Sequence, residues 1–359
     1  MNRQRHVLGQ WIPAMLLSAS VTFAQPPQSD EARKRESSNP SNETAAAAGE
    51  RVWRRPLDSR NQFPVSLMFV SLTPDSATSL SRGDTSVDVR FDYSNIIIGR
   101  ETDDELLYLD LEYLRSEVLI RHGLPWAVEA GVSIPFYVYY GGFLDPFVGG
   151  LHEFLGLPNF LRGQTGNGLT RYEFVTGTHA PFLGDNAIKA VGDITVHLKK
   201  TLFAGERYAL AARSDVKLPV GEPATLSGSG AADAGIGVAF DRVTHRWGLY
   251  SNANYHFLGQ PDGFRVKNYF SLMVGFDYRV KPRLTAHLQL DHAQAFVESR
   301  LSTFEEPPQQ VAMGLRWRYS DRFVYEWRFV EDLSDGAPDF TLGFQLGIRW
   351  RAKGAPANP

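Results

Sequence analysis

From about residue 84 to residue 351, apolar and polar residues alternate one for one, in stretches separated by turn-forming residues. Near the C-terminal end Phe340, Leu342, Phe344, Leu346, Ile348 and Trp350 share one parity, and Thr341, Gly343, Gln345, Gly347, Arg349 and Arg351 share the other. Successive side chains of a strand point to opposite faces, so this segment has one greasy face and one wet face. The same pattern sets Val311, Met313, Leu315, Trp317 and Tyr319 against Gln310, Arg316 and Arg318, and Val87, Val89, Phe91 and Tyr93 against Asp88, Arg90 and Asp92. Several stretches keep it for about ten residues, the length a tilted strand needs to cross a bilayer, whereas sandwich strands run to about five or six.

The pattern predicts strands at 84–98, 104–122, 125–141, 190–204, 206–219, 231–242, 246–258, 266–280, 283–298, 308–319, 322–333 and 338–351. Their connections alternate between short and long, as in bacterial barrels with short periplasmic turns and longer outer loops. The expected fold is therefore all-β: an antiparallel transmembrane β-barrel of about 12 strands with both termini in the periplasm. Segment 104–122 fits less well, because its phase slips near Leu114–Arg115; a β-bulge would reset it. The chain is 12% aromatic, and rings such as Trp126, Tyr139, Trp247, Trp317 and Trp350 near strand ends suit membrane girdles.

Outside the barrel, Arg3 and Arg5 precede an apolar stretch ending at Ala24, the signature of a cleaved signal peptide over 1–24 and of export. Residues 25–60 are rich in Pro, Ser, Asn and Glu and are expected to be a disordered linker whose Arg51, Arg54 and Arg55 are solvated. Residues 61–83 are too apolar for a linker and are expected to fold into or across the lumen as a plug-like segment. The long loop 142–189 places Phe147, Val148, Leu151, Phe154 and Leu155 at helical spacing, which predicts a helical plug or lid. Residues 352–359 form a tail.

Composition narrows the chemistry. A net charge of −3 with no basic stripe argues against a nucleic-acid partner. The absence of cysteine removes disulfides, thiolate metal sites and a cysteine nucleophile. The sequence has no Gly-x-Ser-x-Gly, no His-Glu-x-x-His and no phosphate-cradling loop. No catalytic, metal or cofactor site is therefore expected. The solute-binding candidates are the inward-facing Arg213, Asp215 and Lys217, together with Arg316, Arg318, Arg349 and Arg351, which on adjacent strands would build an arginine ladder for a small anionic solute. In the long loop Asp145, His152 and Glu153 are plug candidates.

Three motifs carry a family resemblance. They are Arg60-Asn61-Gln62-Phe63-Pro64, Tyr93-Ser94-Asn95, and Gly141-Gly142-Phe143-Leu144-Asp145 with His152-Glu153-Phe154-Leu155-Gly156-Leu157-Pro158. Together they resemble the family called domain of unknown function 3187, over roughly residues 56–351. The resemblance implies a proteobacterial outer-membrane barrel without an assigned activity. The resulting expectation is a plugged channel, or a protein that binds or transports a small solute, with outer-membrane lipids and the barrel-assembly machinery as its partners. Two other classes remain open: an outer-membrane hydrolase acting on lipid or lipopolysaccharide, and a soluble periplasmic β-protein.

Overall fold

A computed structural model describes residues 53–146, 149–150, 153, 168–334, 336–338 and 340–352. The predicted signal peptide 1–24, most of the linker and nearly all of the tail lie outside those residues. In chain order the elements are α1 (Pro64–Leu67), β1 (Thr85–Glu101), β2 (Glu105–Leu124), β3 (Val128–Tyr140), β4 (Arg171–Thr176), β5 (His179–Gly184), β6 (Ile188–Val191), β7 (Ile194–Ala204) and β8 (Tyr208–Leu218). They continue with β9 (Asp233–Val243), β10 (Trp247–Phe257), β11 (Arg265–Val266), β12 (Tyr269–Lys281), β13 (Leu284–Ala293), β14 (Val297–Glu298), α2 (Ser302–Glu305), β15 (Gln309–Arg318), β16 (Phe323–Asp332) and β17 (Phe340–Trp350).

Twelve of these strands form the wall, in the order β1-β2-β3-β7-β8-β9-β10-β12-β13-β15-β16-β17. The wall closes antiparallel from Thr85↔Trp350 to Asn95↔Phe340. Closure removes the free sheet edges that would otherwise expose unpaired backbone groups, which is what lets a sheet cross lipid. The seam needs one glycine. A Cβ on Gly343 would collide with the Arg328 side chain, and Arg328 must cross β17 at this point to reach Asp92 on β1.

The hydrophobic faces point outward. Phe276, Leu288, Met313, Leu315 and Leu342 are all exposed on the outer surface, whereas Asp88, Arg90, Asp92, Arg213, Lys217, Glu326 and Arg328 are buried inside. So large an apolar exterior does not suit a soluble protein, and a closed barrel replaces the two-sheet sandwich.

Several expectations are corrected. The bulge in the second strand is absent, since β2 pairs with β1 without interruption from His122↔Thr85 to Leu106↔Glu101. Leu107, Leu109, Leu111 and Tyr113 face inward on the same parity as Arg115, Glu117 and Arg121. What reads as a slip is a change in the lumen itself, apolar toward the loop end and charged toward the turn end. Asp110 and Glu112 therefore lie on the outward parity, where Glu112 accepts bonds from Tyr93 Oη and Leu144 N. The strand expected over 283–298 ends at Ala293, and Val297–Glu298 instead pairs with β11 in a separate two-stranded sheet.

Of the helical plug expected from loop 142–189, residues 145–146, 149–150 and 153 are helical, and the whole predicted apolar face, Phe147, Val148, Leu151, Phe154 and Leu155, lies outside the described residues. The second half of the loop forms strands, with β4 extending from β2 and β5 from β4, and β6 alongside β3.

Candidate functional site: a filled lumen

The lumen is occupied by the N-terminal segment. Trp53–Phe63 climbs from the turn end, α1 turns at the loop end, and Met68–Leu80 descends to the turn that opens β1. Both ends are fixed at the turn end. There Arg54 donates to Thr244 O, and Gly83 N donates to Gly123 O at 2.7 Å. Residues 53–60 thus lie inside the barrel, where composition placed a disordered linker. Arg54 is buried against Asp277 and Arg55 pairs with Asp88 at 3.2 Å, so neither is the solvated charge expected. Arg51 lies outside the described residues.

A buried backbone group needs a hydrogen-bond partner, and wall side chains supply many of those of this segment. On the ascending arm Asp58 N donates to Glu326 (3.2 Å), and Arg316 donates to Pro56 O (2.8 Å). On the descending arm the N–H groups of Val70, Leu72, Asp75, Ala77, Ser79 and Leu80 donate in turn to Asp233, His256, Asn252, Asp241, Thr201 and Glu129, at 2.8–3.2 Å. These acceptors alternate along their strands, because only every second residue faces inward. At the tip, Tyr269 Oη donates to Val70 O (2.9 Å) and Lys217 Nζ to Met68 O (2.9 Å). Around them Phe63, Val65, Leu67, Met68 and Phe69 join one apolar cluster with Phe174, Phe264, Phe296 and Phe304. Phe69 meets Phe296 edge-on at 5.4 Å.

The charges between plug and wall are paired. Lys199 stands 2.7 Å from Asp75 and 3.2 Å from Glu129, Arg121 stands 2.6 Å from Asp88, and Arg90 pairs with both Asp58 and Glu117. Burial alone would raise the Asp75 carboxyl, but Lys199, Arg121 and Arg213 hold it well below the ordinary carboxylate range. At Asp58 burial outweighs the pull of Arg90 and the carboxyl is raised.

Arg213, Asp215 and Lys217 do line one inward face, but each is engaged. Arg213 reaches Asn252 (2.7 Å) and Thr73 O, and Asp215 lies 3.0 Å from His197. Lys217 sits between Asp193 and Asp233. The arginine ladder does not form. β16 separates β15 from β17, Arg316 pairs with Glu326 on it, and Arg349 pairs with Asp84 at 2.6 Å. Arg318 is half-buried and Arg351 is exposed. In the loop, Asp145 accepts from Asn95 Nδ2 and from Gly168 N, both at 2.9 Å, and Glu153 is exposed; His152 lies outside the described residues. Asp145 thereby joins two of the resemblance-carrying motifs on the outer side of the wall.

One array has the residue types of a hydrolase. Ser133 Oγ lies 3.0 Å from His197 Nε2, and Asp215 lies 3.0 Å from His197 Nδ1. Its separations of 64 and 18 residues become neighbours only through the β3–β7–β8 register. Asp215 Oδ2 makes no aligned hydrogen bond and Ser133 is buried beneath the plug. The array therefore stands as one more polar chain of the lumen wall, with one Asp215 oxygen left without an aligned hydrogen bond. What the sequence did not single out is the set of plug acceptors, Asp233, Asp241, Asn252, His256 and Asp277. Their signal is a polar group on the inward parity of β9, β10 and β12.

Over residues 43–351 the chain matches a family described as "protein of unknown function (DUF3187)", and it belongs to that family. No curated protein matches it. Among solved structures it is similar to the COG4313 outer membrane channel from Pseudomonas putida F1, at 11% identity and a TM-score of 0.52, over 78% of this chain and 100% of that one. It is also similar to the NanC porin, at 9% identity and a TM-score of 0.42, over 74% of this chain and 100% of that one. The first likeness shows the fold alone, a closed antiparallel β-barrel.

Proposed function

We propose that this protein is an outer-membrane channel held shut by its own N-terminal segment, which admits a small solute when that segment shifts. The observation that carries the reading is the hydrogen-bonded plug of residues 53–80 inside an apolar-faced barrel. The short-turn end, with both barrel termini, faces the periplasm, following the loop-length asymmetry of such barrels. Export by the N-terminal signal peptide belongs to the same proposal. Because the cationic candidates are already paired with carboxylates, the solute is not assigned a charge by them.

The absence of cysteine makes the test clean. Ala77 of the descending arm packs with Ala209, Ala211 and Ala239 of the wall. Ala77→Cys with Ala239→Cys should form a disulfide that holds the plug in place. Purified protein in planar bilayers should show intermittent conductance that oxidation abolishes and reductant restores. Identical conductance in the oxidised and reduced forms would mean that the plug is not the gate.

A further inference from the structure

Between the plug and the β17–β1–β2 wall, near the turn end, lies a cavity of about 40 Å³. About one water-sized sphere of 10–15 Å³ admits a water, so this space takes a few waters or one compact ion. Its lining is unusual in the hydrogen bonds it leaves unmade. Trp53 Nε1, Ser86 Oγ, Arg121 Nε, and Arg349 Nε and Nη1 are buried and find no hydrogen-bond partner among the described residues. All of them can donate, and apart from the Ser86 hydroxyl, which can also accept, no unpartnered buried side-chain acceptor lies among the described lining residues. The lining also holds five arginine or lysine side chains against three carboxylates. Two further carboxylates, Asp84 and Glu326, engage Arg349 and Arg316 from outside it. A buried donor left unmade costs about 1–3 kcal/mol, and a pocket lined by unmade donors favours an acceptor with negative charge.

We propose that this cavity is a small-anion site and that a halide-sized anion in it latches the plug. The site is made jointly. Trp53 comes from the ascending arm and lies under the Arg349 guanidinium, 5.8 Å from its ring centre, while Ser86, Arg121 and Arg349 come from β1, β2 and β17. A ligand that binds only the assembled state stabilises that state by mass action. Anion binding and plug seating are therefore linked, and each strengthens the other. The binding stands apart from the channel reading; the latching rests on it.

Bromide is the probe, with gluconate, too bulky for the cavity, as the matched-ionic-strength control. The full chain in detergent should melt at a higher temperature in bromide than in gluconate, with a saturable rise. Crystals grown in bromide should show its anomalous peak between Trp53 and Arg349. Trp53→Phe with Ser86→Ala removes two donors while sparing the Arg349–Asp84 pair, and should weaken bromide at least tenfold. Equal melting in the two salts, or a bromide response unchanged in the double variant, overturns the site. In bilayers, opening should be several-fold rarer in bromide than in gluconate. Equal opening frequencies overturn the latch, and a bromide-binding protein that never conducts overturns the channel reading while leaving the site.

Discussion

Lys217→Met tests whether the lumen is held by compensated charge. Lys217 is 2% exposed and its Nζ contacts four groups: Asp193, Asp233 at 3.1 Å, Ser229 Oγ at 2.8 Å and Met68 O at 2.9 Å. Methionine preserves most of the volume, so the change is electrostatic. It leaves two buried carboxylates facing each other and removes a donor from the plug tip. Breaking a buried pair by deleting one partner costs about 3–5 kcal/mol. The lower half of that range applies here, because Asp193 still accepts from Val220 N and Gly221 N, and Asp233 from Val70 N and Gly259 N. We expect a loss of about 3 kcal/mol in urea unfolding followed by tryptophan fluorescence in detergent. The triple variant Lys217→Met, Asp193→Asn, Asp233→Asn should recover at least half of it, because no uncompensated charge remains. A single-variant loss below about 1 kcal/mol, or a triple variant no more stable than the single, would refute the reasoning.

Leu288, exposed in the middle of the outward face of β13, should tolerate arginine poorly: Leu288→Arg is expected to cost about 2–4 kcal/mol in vesicles and to lower the temperature at which the folded gel band is lost. Acidification should loosen the plug only late. The Asp75 carboxyl is depressed in the fold, so its stabilisation is complete above the unfolded value of about 3.9 and is lost as pH falls below it. Hydrogen exchange at the Asp75 amide, once corrected for intrinsic rates, should therefore rise as pH falls below about 4. Phe69→Ser at the tip should raise the frequency of conductance events more than Ser59→Ala on the ascending arm, measured in the same bilayers.

The wall was legible because its determinants are local. Period-two alternation and turn residues suffice to place twelve strands within a few residues of their observed bounds, and the alternating loop lengths give the parity that lets the barrel close. The sequence was less informative wherever the partner was distant. Trp53–Arg60 has the composition of a linker, and composition judges disorder by the lack of apolar surface to bury. That criterion assumes an apolar core. Inside a barrel the interior is polar, so Arg54, Arg55 and Asp58 are ordered by Asp277, Asp88 and Arg90 instead. The same inversion explains the false slip in β2, where an inward face changes from Leu111 and Tyr113 to Arg115 and Glu117 without changing direction. The arginine ladder failed for a different reason. Arg316 and Arg349 lie on strands that β16 holds apart, and a shared inward parity does not make two strands neighbours.

That inversion also says which part of the plug sets the cost of opening. The arms are held by polar contacts whose wall partners, such as Asp241 and Asn252, would be hydrated once the segment left. Each such exchange of a protein hydrogen bond for a water one is worth about 0.5–1.5 kcal/mol net. The tip is different. Phe63, Val65, Leu67, Met68 and Phe69 are nearly fully buried, and at about 1.5–3 kcal/mol per large apolar side chain their exposure costs on the order of 10 kcal/mol. Water offers nothing in return for that surface. Withdrawal of the whole segment is therefore rare at equilibrium. Under the channel proposal the apolar tip is thus the anchor of the plug, and weakening it is what should most readily open the lumen.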